Sequence, residues 1–197
     1  MNEMGAPPPD GAEEFVAPSN AIENDEKSVW ETDPGLVDIR HEVDQITDKL
    51  GEPIDQDVKD TVVALKALGL PTSQSCGGHL DRGGNAPWVE VYPTEPETEN
   101  WQENDELRQA VTEESDKIRD TLDSYLQEFY KDRETSDKTR LELSGVAYGY
   151  RVQPVGLEWA DGKKVERSQE ELDRYRKEMK DFTQFLANKY QQSKTDV

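Results

Sequence analysis

Cysteine is nearly absent from this chain: Cys76 is the single one in 197 residues, and histidine occurs only twice, at positions 41 and 79. One cysteine excludes an intrachain disulfide, and with it a secreted fold stapled by such bridges. No apolar run approaches the length of a membrane span. Basic residues are also few, 23 Lys and Arg against 44 Asp and Glu, giving a formal net charge of -21. Phosphate backbones and anionic membrane surfaces are held by Lys and Arg, so this balance argues against nucleic acid or membrane as a partner. Residues 1–18 lack the basic and apolar regions of a signal peptide, and the cytoplasm is the expected location. There is no P-loop and no G-x-G-x-x-G, which argues against the common nucleotide folds and leaves the cofactor unassigned.

Hydrophobic residues make up 32% of the chain and charged residues 34%, close to the composition of chains that bury too little to fold. The apolar residues nevertheless fall in periodic blocks, which predicts a modest core with solvated helix faces. Residues 1–29 hold four prolines and many acids and read as a disordered tail, with Phe15, Val16 and Ile22 as its few apolar groups. A single α+β domain is expected over 30–190, followed by a polar tail over 191–197.

Within that domain, Leu36, Ile39, Val43, Ile46 and Leu50 recur at three- and four-residue spacing, predicting a helix over 34–50 capped by Asp33 with Pro34 at its first position. A second helix is expected from 55 or 56 to 68, stopped by Gly69. A third fits 105–131, with an interruption at Thr112–Glu114. A fourth starts at the Ser168/Glu171 capping box and carries Leu172, Tyr175, Met179, Phe182 and Leu186. Strands are expected at 72–76, 88–92, 141–146 and 150–155, with Pro154 at an edge or bulge. Residues 157–159 read as a further short strand closed by an Asp161–Gly162 turn. The fold class is therefore α+β: a small, mainly antiparallel sheet of two hairpins, packed with about four helices over one face.

Chemistry concentrates in one place. Between Gly69 and Pro93 only Asp81, Arg82 and Glu90 are charged, where the chain average would give about eight. This island holds Cys76, Gly77, Gly78 and His79 in a glycine-rich loop between two strands. Three chemistries fit the pattern. Adjacent glycines can turn their N–H groups toward one point and cradle an anion or a carbonyl, with Thr72, Ser73, Ser75, His79 and Arg82 adding donors. Cys76 and His79, three residues apart, can form a thiol–imidazole pair. The same two residues, with Asp81 nearby, have metal-ligand spacing but need a further ligand from elsewhere; His41 lies off its helix stripe, and no metal is assigned. Against these stand structural roles: a hydrogen-bonded hairpin loop, a buried small thiol and a histidine that ties loop backbone. Trp88 is expected to be core or pocket wall, and Glu90 to face solvent.

The run Pro71-Thr72-Ser-Gln-Ser75-Cys76-Gly-Gly78-His79, followed by Pro87-Trp88-Val89, resembles a family of small bacterial proteins that carry a T-x-x-S-C-x-G-H segment and then a P-W-V strand. The likeness covers about 25 residues and the helix before them, and implies no particular activity. Ser73, Ser75, Cys76 and Gly78 also resemble the S-x-S-C-S-G-R segment of the wybutosine-synthesis family of tRNA-modifying methyltransferases. Gly77 and His79 depart from that pattern, and the net charge is wrong for a tRNA binder.

The expectation that follows is a protein that binds, and acts on, a small anionic or carbonyl-bearing ligand at this loop. His79 and Cys76 would be the catalytic groups, and Thr72, Ser75, Gly77, Gly78, Arg82 and Trp88 the ligand contacts. The alternative is an acidic protein–protein interaction module, using its tail or helix faces, with the loop as scaffold.

Overall fold

The computed structural model describes residues 29–159 and 168–195. The expected N-terminal tail, with Phe15, Val16 and Ile22, and the Asp161–Gly162 turn lie outside the described residues. A single turn, α1 (Val29–Thr32), leads into α2 (Pro34–Asp44) and α3 (Gln56–Ala67). The first hairpin follows as β1 (Thr72–Cys76) and β2 (Trp88–Val91), then a 3-10 turn (Trp101–Glu103) and α4 (Asp105–Phe129). The second hairpin is β3 (Leu141–Val146) and β4 (Gly149–Pro154), and α5 (Gln169–Thr195) completes the order. This is an α+β fold, four longer helices with a four-stranded antiparallel sheet in the order β1-β2-β4-β3.

Register explains how the sheet is used. Val89 pairs with Val152, Val91 with Tyr150 and Leu143 with Val152, so these side chains share one face. That face joins the core with Leu36 and Val43 of α2, Val58, Val62 and Leu65 of α3, Ile118 and Leu122 of α4, and Met179, Phe182 and Leu186 of α5. The stripe of α4 is continuous through its apparent break, because Ser115 is buried between Val111 and Ile118. The other face of the sheet carries a polar row. Glu90 pairs with Arg151 across β2 and β4, and its carboxylate takes both Arg151 Nη2 at 3.0 Å and Ser73 Oγ at 2.8 Å. Glu90 is thus buried rather than facing solvent: an arginine and a hydroxyl satisfy it, and the Arg151 guanidinium stacks 4.1 Å from the Trp88 ring centre.

Three boundaries differ from the periodic reading. The first helix ends at Asp44, and Ile46 and Leu50 are exposed although their spacing continues the stripe. Asp48 ends it: its carboxylate accepts from the N–H groups of Leu50 and Glu52, a local turn that competes with helix. Residues 157–159 form only an isolated bridge, Trp159 to Gly84, rather than a strand. The last helix runs on through residues 191–195, because Gln191 and Lys194 reach back to Asp33 at the cap of α2, each at 2.8 Å. Pro154 is the final residue of β4, two beyond the last pair with β2.

Candidate functional site

The start of α3 and the end of β1 meet because the two run back to back. Twelve helical residues rise roughly 18 Å. Five strand residues return roughly 17 Å. Asp55, at the N-cap of α3, therefore faces the loop that leaves Cys76. Its carboxylate does not cap its own helix. It accepts from Gly77 N at 2.7 Å, and the same oxygen lies 3.4 Å from His79 Nε2. Asp55, Cys76 and His79 offer ligating atoms that all lie within 4.8 Å of one another.

Both glycines stand in close approach to their neighbours, Gly78 the more tightly. A Cβ on Gly77 would stand 3.1 Å from Asp55 Cβ and 3.3 Å from Asp57 Cβ. Gly78 has φ +76, and a Cβ there would meet Ala86 C and Leu172 Cδ1 at 2.8 Å each. Their polar groups are spent internally. Gly77 N–H goes to Asp55, Gly78 N–H to Cys76 Sγ at 3.4 Å, and both carbonyls accept from Arg176 of α5 at 3.0 Å. The glycine N–H groups are therefore not an open cradle for an anion; a carboxylate of the chain itself already fills that place. The loop is closed by His79 N donating to Gly84 O at 3.0 Å, and by Asn85 pairing with Glu158 through backbone and side chain.

Beside this loop lies an open cleft of about 1170 Å³ between the 46–55 segment and β1. Thr72, Ser75, Cys76, His79 and Arg82, the residues singled out in the sequence, line it together with Asp55. Gly77, Gly78 and Trp88 do not line it. Trp88 is buried and packs on Trp159 with ring centres 5.9 Å apart. The charged lining is balanced, Lys49, Lys59 and Arg82 against Asp48, Glu52 and Asp55, although the chain as a whole carries -21. Arg82 sits at the rim, its guanidinium 3.8 Å from Asp81.

Burial pushes the Cys76 thiol up; the Gly78 N–H bond opposes this and the charge of Asp55 adds to it. The resting group is a thiol, not the thiolate that a ready nucleophile requires. Asp81, the third metal-ligand candidate by spacing, is not part of the cluster; Asp55 takes that place.

Asp55 and Arg176 are the residues that sequence reading missed. Asp55 carries a geometric signal, since a helix followed at once by a strand of matching length must return to the helix start. Arg176 lies about 100 positions from the loop on a helix whose polar face is full of charge, and no local pattern marks it. Among the described residues no helix is long and apolar enough to cross a membrane. No family model, no curated protein and no solved structure matches this chain.

Proposed function

We propose that the protein binds a small carbonyl- or carboxylate-bearing molecule in the cleft beside β1, and that His79 meets the polar end of that molecule as its acid–base group. The observation that carries this reading is the convergence of Asp55, Cys76 and His79 on the wall of a cleft of about 1170 Å³. Ligand pockets are mostly apolar hollows with a few convergent polar groups, and here Ile46, Ile54 and Val62 supply apolar lining. Asp55 orients the imidazole from one side, at 3.4 Å. Thr72 and Ser75 offer hydroxyls along the cleft, and Arg82 at the rim suits a carboxylate. Gly77 and Gly78 serve by position, since their N–H groups are already donated. Cys76, as a thiol, is a wall group and weak donor.

A thermal-shift screen of small aldehydes, ketones, amides and carboxylic acids tests this on the full chain. The expected result is at least one class that raises the melting temperature of wild type but not of His79→Ala. A screen whose binders act equally on both proteins, or that finds none, overturns the reading.

A further inference from the structure

We propose that Asp55, Cys76 and His79 form a binding site for a zinc-class divalent ion, with one coordination position open to the cleft. This rests on the cleft reading for its place in the molecule, and it changes the task of His79 from proton carrier to ligand while the ion is bound. The ion then becomes the group that meets a carbonyl oxygen as a Lewis acid.

The ligand set points to the metal. A thiolate, an imidazole and a carboxylate suit zinc; calcium and magnesium prefer all-oxygen sites. Three protein ligands with a fourth position left to water or substrate is the arrangement of reactive zinc centres. In a tetrahedral site with bonds of 2.0–2.3 Å, neighbouring ligand atoms stand roughly 3.3–3.8 Å apart. The three ligating atoms lie within 4.8 Å of one another, so small side-chain rotations complete the set. All three residues are partly buried and line the open cleft, which offers an ion an entry path.

Two further features go with that convergence. Asp55 occupies the N-cap position, yet its side chain makes no capping hydrogen bond to its own helix. Its carboxylate is turned to the loop instead. Two of the would-be ligands also accept backbone hydrogen bonds: Gly77 N–H donates to Asp55 Oδ2, and Gly78 N–H donates to Cys76 Sγ. Backbone donors of this kind orient a metal's ligands and stabilise the charge on a bound thiolate. Binding releases the thiol proton to solvent as Cys76 coordinates.

Cobalt(II) is the direct probe, because a thiolate–cobalt bond gives a near-ultraviolet charge-transfer band. The full chain, reduced and stripped with chelator, is titrated with Co2+, and Zn2+ is then added as competitor. The expected result is a one-to-one titration with that band, displaced by Zn2+. The band should vanish in Cys76→Ser, and affinity should fall tenfold or more in Asp55→Asn and His79→Gln. Wild type that shows no thiolate band overturns the site, whatever the variants do. So does a band that survives Cys76→Ser. The fragment screen, repeated with chelator and with Zn2+, separates the two readings. Fragments that bind chelated protein while no band forms sink the metal and leave the cleft; a band without any fragment binder does the reverse.

Discussion

Replacing Gly78 by alanine should destabilise the protein far more than the same change at Gly83, five residues along the same loop. Both glycines have positive φ, +76 and +56, so each alanine meets the left-handed penalty of about 1–2 kcal/mol. Alanine also reduces the freedom of the unfolded chain, which returns about 0.4–1 kcal/mol in each case. The surroundings then separate them. At Gly83 nothing lies within 4 Å of an added Cβ. At Gly78 that atom would sit 2.8 Å from the Ala86 carbonyl carbon and 3.0 Å from Ala86 Cα, and backbone atoms cannot swing aside as a side chain can. Overpacking of this kind costs about 1–3 kcal/mol. The expected losses are about 1 kcal/mol for Gly83→Ala and about 2–4 kcal/mol for Gly78→Ala, read as unfolding free energies from urea titrations with unchanged m-values. Equal losses at the two positions would refute the packing argument.

Two other perturbations probe the frame around the site. Arg151→Met leaves Glu90 buried beside Ser73 without its cation, an expected loss of about 3 kcal/mol, much of it restored by adding Glu90→Leu. A loss below about 1 kcal/mol in the single variant would show that the pair is not a structural unit. At Asp33, burial resists ionisation, but hydrogen bonds from Lys194, Gln191 and Leu36 N outweigh it and hold the carboxyl down at about 2, below its ordinary 3.8. Because the folded value is the lower one, this stabilisation is present above about pH 4 and is lost as pH falls toward about 2. The stability gap between wild type and Lys194→Met should therefore be full at pH 6 and close over that acid window; a gap independent of pH in urea titrations would contradict the assignment.

Much of the frame was legible because local rules and tertiary packing agree. Asp33 caps α2 through its carboxylate, Gly69 takes φ +77 after α3, and Ser168 accepts from Glu171 N at 3.1 Å, each at the place its residue type marks. β2 and β4 fell where β-branched and aromatic residues gather, at Trp88, Val89 and Val91 and at Tyr150 and Val152. What failed did so where a local pattern competes with a longer one. Ile46 and Leu50 keep helical spacing, yet Asp48 folds the chain into a turn between them. Glu90 alternates like a solvent residue, and only the partner strand supplies the arginine that buries it. Trp101, in an acidic connection, is buried against Tyr148 of the β3–β4 turn, a contact no local sequence pattern indicates. The site divides in the same way: Cys76 and His79 were visible as rare residues in a low-charge loop, whereas Asp55 and Arg176 enter it through the path of the chain.

The central claim is that His79 faces a ligand in the cleft, and the chain's two histidines make it directly measurable. Imidazole resonances recorded by proton–nitrogen NMR give one signal pair for His79 and one for His41, which is exposed on α2 and does not line the cleft. Titration with the fragments that raise the melting temperature should shift the His79 signals in a saturable way and leave those of His41 in place. Saturable binding that leaves the His79 signals unmoved would contradict the account.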